Sequence, residues 1–267
     1  MIIIGEKING FIPQVGKAIA ARDAEFIKDL AVKQTEAGVD YLDVCASCPE
    51  DEELETIEWL IELVQSVSDV PICIDSSNPE CCVAAMSFCK KEGMINSVSM
   101  EGKKIDAIFP AIAKSGWKCV ALLCDDKGIP SDVSTRFTLC SRIADKAKEY
   151  DIPISRLFFD PLVTTLGTDG ESLSKFVETT AKIKTHYPDA HITSGLSNVS
   201  FGLPNRVSIN QAFLALAMNA GMDSAIVDPC NGAILGIILA TDALLQNDEY
   251  CLDYIGAYRK GRIGSKK

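Results

Sequence analysis

Ile72-Cys73-Ile74-Asp75-Ser76-Ser77-Asn78-Pro79 contains a complete structural unit. Three apolar, strand-prone residues lead into a carboxylate, and two serines then lead to Asn-Pro, an N-cap with proline at the first helical position. A strand that passes this quickly into a helix is the first half of a parallel crossover. The unit recurs on both sides. Short apolar segments at 2–4, 41–44, 72–74, 95–98, 119–124, 157–159, 192–196 and 224–227 start 39, 31, 23, 24, 38, 35 and 32 residues apart. That spacing holds a strand, a loop and a returning helix. Between them lie amphipathic stretches, as at 134–150, where Phe137, Cys140, Ile143, Ala144, Ala147 and Tyr150 keep a helical period. Gly38, Gly93, Gly116 and Gly221 each follow such a stretch, where a left-handed residue closes a helix. Eight strand-then-helix units predict an α/β fold, a (β/α)8 TIM barrel, with residues 1–267 forming a single domain. An open doubly wound sheet would place a glycine-rich phosphate loop after the first strand, and Gly5-Glu6-Lys7-Ile8-Asn9-Gly10 is not one.

The composition narrows the partners. With 47% hydrophobic residues, the 267-residue chain can bury a sizeable core, and 26 Lys and Arg against 37 Asp and Glu leave a net charge of −11. That balance argues against nucleic acid and against anionic membrane surfaces, both of which require clustered cations. No apolar run approaches the ~20 residues of a membrane span, and Met1-Ile2-Ile3-Ile4 is too short for a secretory leader, so a cytoplasmic protein is expected. The eleven cysteines sit largely in apolar runs, as Cys73, Cys119, Cys124 and Cys140 do, and read as reduced packing thiols.

In a barrel of this kind, chemistry collects at the C-terminal ends of the strands. The residues at or just past them are Glu6 and Asn9, Asp43, Asp75 and Asn78, Asn96, Asp125, Asp160, Asn198 and Asp228. Asp and Asn are common loop starters, yet Asp75, Asn96 and Asp160 directly follow or interrupt apolar runs, where an unpaired carboxylate is costly. A ring of acceptors with few cations suits a ligand rich in N–H donors. A pterin or guanine-like ring fits, because its amino-pyrimidinone edge offers adjacent N–H groups that one carboxylate accepts as a pair.

Ile3-Ile4-Gly5-Glu6-Lys7-Ile8-Asn9-Gly10, Ile74-Asp75-Ser76-Ser77-Asn78, Met94-Ile95-Asn96-Ser97, Phe159-Asp160-Pro161-Leu162 and Gly195-Leu196-Ser197-Asn198-Val199-Ser200 together resemble the methyltetrahydrofolate:corrinoid iron-sulfur protein methyltransferases. They also resemble the pterin-binding domain of cobalamin-dependent methionine synthase. The resemblance implies a homodimeric barrel of the pterin-binding type that exchanges a methyl group between N5 of tetrahydrofolate and the cobalt of a cobalamin-type corrinoid carried by a partner protein. It implies that Asp75, Asn96 and Asp160 hold the pterin and that Asn198 stands near N5, with Glu6, Asp43, Ser197 and Arg206 as further contacts to folate. No bound metal is expected. The pattern departs after the second strand, where Asp43-Val44-Cys45 replaces the family's Asp-x-Asn.

Other readings compete. Cys45, Cys48 and Cys230 could converge on zinc, but a second C-x-x-C is missing, and His186 and His191 fall before the seventh strand, at the opposite face. Trp59 and Trp117 could stack a sugar beside paired carboxylates, although both belong to helices away from the mouth. Residues 167–170, with Asp169, could cover the mouth. Lys260, Arg262, Lys266 and Lys267 read as a frayed, solvated tail. Two alternative functions share the pterin pocket. One is a dihydropteroate synthase-like enzyme, for which Ser197-Asn198-Val199-Ser200 lacks the expected cation; the other is a non-catalytic pterin-binding subunit.

Overall fold

The computed structural model describes residues 1–264. Eight parallel strands, β1 (Ile2–Asn9), β2 (Tyr41–Cys45), β3 (Ile72–Asp75), β4 (Met94–Met100), β5 (Lys118–Asp125), β6 (Leu157–Asp160), β7 (His191–Ile192) and β8 (Ser224–Val227), form one sheet in the order β7-β6-β5-β4-β3-β2-β1-β8. At the seam between β7 and β8 there is no ladder, but Asp223 N donates to Ile192 O at 3.2 Å and Ile226 N to Ser194 O at 3.1 Å. These two bonds draw the edges together into a nearly closed barrel. Around it run α1 (Pro13–Ala20), α2 (Ala24–Glu36), α3 (Glu50–Val67), α4 (Pro79–Ala85), α5 (Lys104–Ile112), α6 (Val133–Glu149), α7 (Ser172–His186), α8 (Arg206–Asn219), α9 (Gly232–Leu244) and α10 (Leu252–Arg259).

The period-two alternation of strands sorts the core into two layers. Outward residues such as Leu42, Val44, Ile74, Ile95 and Phe159 pack against the helices, whereas Ile4, Cys73, Met94, Val120 and Phe158 plug the barrel interior. The helix starts follow the caps in the sequence. Asn78 accepts from Glu80 N at 3.0 Å and Cys81 N at 3.2 Å, with Pro79 opening α4, and Asn231 caps α9 in the same way. Asn78→Ala should therefore lower unfolding free energy by about 1 kcal/mol, measured as a lower urea midpoint at an unchanged slope.

Several expectations need correction. Gly38 and Gly221 are left-handed, at φ +82° and +111°, but Gly93 and Gly116 are not. Gly93 is required for a close approach instead, since a Cβ there would overlap the Ile72 carbonyl oxygen. Arg262 is not frayed: its guanidinium donates to Ala37 O. Lys266 and Lys267 lie outside the described residues. The first strand continues to Asn9, so Glu6 stands inside it rather than past it, and the fourth, which already held Asn96, runs on to Met100. The seventh stops at Ile192, and Leu196–Ser200 forms a 3₁₀ turn that carries Asn198 away from the sheet. The reason is a contact with the neighbouring strand: Gly195 N turns toward the Asp160 carboxylate, at 3.4 Å, instead of continuing the ladder.

Candidate active site

Strand register brings the polar residues to one end. Asp75 lies opposite Asn96 on the neighbouring strand, and Asp160 lies opposite Leu122. Alternation gives each an inward direction two residues above a plug residue: Cys73 then Asp75, Met94 then Asn96, Phe158 then Asp160, Ile4 then Glu6. Asn96 Nδ2 donates to Asp43 Oδ1 at 3.4 Å, and the Asp43 and Asp75 carboxyls face each other. Glu6, Asp43, Asp75 and Asn96 thus form one cluster. Across the mouth, Asp160 accepts from Leu162 N at 2.8 Å as well as from Gly195 N.

Taking carboxylates out of water favours their protonated forms. Burial pushes Asp75 up to about 6, and drives Asp43 well above the ordinary range with help from the neighbouring Asp75 charge. Burial also pushes Asp160 up to about 6, opposed by the Leu162 and Gly195 N–H groups and by Arg136. Glu6 rises to about 7, first through burial and then through Asp228, with Lys7 and Arg206 opposing. Each of these groups holds a proton in the folded chain that the unfolded chain has released, so the folded state binds more protons between about pH 4 and 7 and stability falls as pH rises through that window. The ligand-free protein should accordingly resist urea better at pH 5.5 than at pH 7.5. A higher midpoint at pH 7.5 would count against this ring of protonated carboxyls.

Two clefts open at this end. One of about 650 Å³ is lined by Phe11, Cys45, Cys48, Glu53, Asp75 and Asn78 among others, and one of about 220 Å³ by Glu6, Ser197, Arg206, Asn210 and Asp228. Asn198 is exposed on its turn. Arg206 Nη2 donates to Ser197 O at 2.7 Å and to Ser197 Oγ at 2.8 Å, while Nε donates to Ser200 Oγ at 3.0 Å. A cation therefore does reach this turn, from α8 rather than from the turn's own sequence, and its donors are engaged in holding Asn198 in place. Asp125 and Asp228 have the blander role expected of loop starters, each bonding the N–H two residues on; Asp228 also pairs with Lys7 at 3.2 Å.

Cys45 is buried against Asp75, and burial together with the two nearby carboxyls raises its thiol above the usual range, so it stays protonated and supplies one weak donor at that position. Cys48 is half-buried and Cys230 exposed. Among the described residues no group of three or more His, Cys, Asp or Glu side chains is placed to hold a metal ion. His186 and His191 lie at the opposite end, His191 stacked on Phe158 at 4.3 Å. Trp117 is buried, and Trp59 is covered by Arg22 at 4.8 Å. Sequence reading missed Arg136, which is 1% exposed on α6. The available signal was that Arg136 shares a helical stripe with Leu139, Cys140 and Ile143, all buried.

A barrel whose inward polar residues gather at the C-terminal mouth defines a small-molecule enzyme scaffold, and residues 16–228 match the family model described as pterin binding enzyme. The chain belongs to that family. It is 47% identical to methylcorrinoid:tetrahydrofolate methyltransferase of Eubacterium limosum, over 99% of this chain and 98% of the relative. It is 28% identical to methionine synthase of Mycobacterium tuberculosis over 85% of this chain, a match that spans 20% of that much longer protein. Dihydropteroate synthases share the fold. That of Stenotrophomonas maltophilia matches at a TM-score of 0.68 with 19% identity over 93% of both chains, and that of Xanthomonas albilineans at 0.64 with 22% identity over 91% of both. No described helix is long and apolar enough to cross a membrane.

Proposed function

We infer that this chain transfers a methyl group from a methylcorrinoid, carried by a partner protein, to N5 of tetrahydrofolate, and catalyses the reverse reaction at the same site. The observation that carries this is the inward convergence of Asp75, Asn96 and Asp160 above the barrel plug, in a chain 47% identical to a methyltransferase of that name. Asp160 accepts the pair of N–H groups on the pterin's amino-pyrimidinone edge, and Asp75 and Asn96 take the remaining ring positions. Glu6, Asp43, Ser197 and Arg206 border the bound folate. N5 attacks the methyl carbon, the cobalt–carbon bond breaks with both electrons remaining on cobalt, and N5 sheds its proton. The protein needs no nucleophile of its own; it orients the ring and supports charge as it develops at N5.

The reading includes a single pterin-binding domain over 1–267 and a cytoplasmic setting, which the eleven unpaired cysteines support. It also includes a homodimer. The support for that is an apolar surface on α9, α10 and the turn between them, where Leu244 and Tyr250 are 81% exposed beside Leu252 and Tyr258.

Stopped-flow absorbance with free methylcobalamin and tetrahydrofolate tests the reaction. Growth of the Co(I) spectrum, and its decay when methyltetrahydrofolate is mixed with Co(I), is the expected result; folate binding with no spectral change would leave a non-catalytic pterin-binding subunit. Because the ring's N–H pair needs an ionised Asp160, folate binding should weaken below about pH 6, by up to about tenfold per pH unit. A dissociation constant flat from pH 7.5 to 5 would exclude Asp160 as the acceptor.

A further inference from the structure

Arg136 has a place in the fold that the methyl-transfer chemistry does not require. It sits on the buried stripe of α6, and its two hydrogen bonds go to backbone carbonyls on separate mouth loops: Nε to Pro130 O at 3.0 Å, after β5, and Nη1 to Leu162 O at 3.0 Å, after β6. Leu162 is left-handed at φ +65°, a conformation unfavourable for a side chain with a Cβ, so it persists only if something holds it. Its own N–H donates to Asp160 Oδ1 at 2.8 Å. The same loop is tied to the turn carrying Asn198, since Leu166 N donates to Val199 O and Thr165 Oγ1 to Phe201 O, both at 2.9 Å.

We propose that Arg136 is the positioning residue of the pterin site: by joining the Pro130 and Leu162 carbonyls it fixes the turn that presents Asp160, and it places a buried positive charge behind that carboxylate. The proposal rests on the reading of Asp160 as the pterin acceptor. A guanidinium suits the task because its rigid fork reaches two acceptors and stays charged when buried. The groups facing Asp160 are Arg136 and the Leu162 and Gly195 N–H groups. Those facing Arg136 are Asp169, on the β6–α7 loop and itself bonded to Lys175 of α7, then Asp160, then Asp132 at the start of α6.

The test is calorimetric titration of the full chain with methyltetrahydrofolate, under anaerobic conditions, from pH 5 to 8. Arg136→Gln should weaken binding about tenfold at pH 7 and move the acidic limb of the binding profile up by about one pH unit. Arg136→Lys should leave the limb in place and weaken binding less, since it keeps the charge and loses the fork. Should neither variant fold, Asp169→Asn leaves Arg136 in place and removes a competing anion, so the limb should move down. A limb at the wild-type position in Arg136→Gln, or in Asp169→Asn, overturns the proposal, because a merely structural role lowers affinity uniformly with pH. If Asp160→Ala binds folate like the wild type, the pterin reading fails instead.

Discussion

Asn198→Ala should reduce kcat by roughly 10²–10³ while the dissociation constant for folate changes far less. Asn198 is exposed on the 3₁₀ turn Leu196–Ser200, and its carboxamide makes no hydrogen bond to protein among the described residues, so the group is free to serve a ligand. An N5 that carries more positive charge in the transition state than in either ground state draws a stronger bond from the carboxamide oxygen, and only that difference accelerates the reaction. Deleting one preorganised polar group of this kind costs about 2–4 kcal/mol in activation free energy, which gives the stated loss in rate. Single-turnover kinetics beside equilibrium titration make the comparison. Equal losses in rate and binding would reduce Asn198 to a residue that shapes the loop. Arg206 holds the turn through three bonds to Ser197 and Ser200, so the geometry depends on a residue eight positions further along the chain.

Asp160→Ala should weaken folate binding by about 2–3 kcal/mol, roughly 30- to 150-fold. The side chain is buried at the end of β6 and, among the described residues, accepts hydrogen bonds only from the Leu162 and Gly195 N–H groups, so acceptor capacity remains for a ligand. Removing the carboxylate deletes a charge-assisted pair of bonds and also leaves two loop N–H groups short of a partner. Calorimetry on the folded variant reads the effect, and an unchanged dissociation constant would remove Asp160 from the pterin site. Asp75 and Asn96 variants should change binding in the same direction.

The barrel was legible because its signals are local. Ile72-Cys73-Ile74 followed by Asn78-Pro79 specifies a strand and a helix start within a few residues, and eight such units leave few ways to bury their apolar faces. Alternation along a strand also fixes which residues share a face, so Asp75, Asn96 and Asp160 could be placed at the mouth from sequence. Strand ends were less legible. Glu6 stands inside β1 because that strand slips register after Gly5 and resumes pairing with β2 at Ile8 and Asn9, and β7 ends early because Gly195 is drawn to Asp160, 35 positions earlier in the chain. Gly93 showed the same limit: its need for a bare backbone comes from Ile72, on the adjacent strand.

The succession of strands and helices, the caps, the inward ring of acids and amides, and Cys45 after the second strand are all written in the order of the residues. Those properties follow from hydrophobic period and from backbone preferences that act over a few residues. It is the packing of the folded chain that sets Asp43 against Asp75, brings Arg206 to the turn of Asn198, and puts Arg136 behind Asp160. These partners lie on separate elements of the chain, and their electrostatic and hydrogen-bond energies exist only once folding has brought the groups within a few ångströms and displaced the water between them.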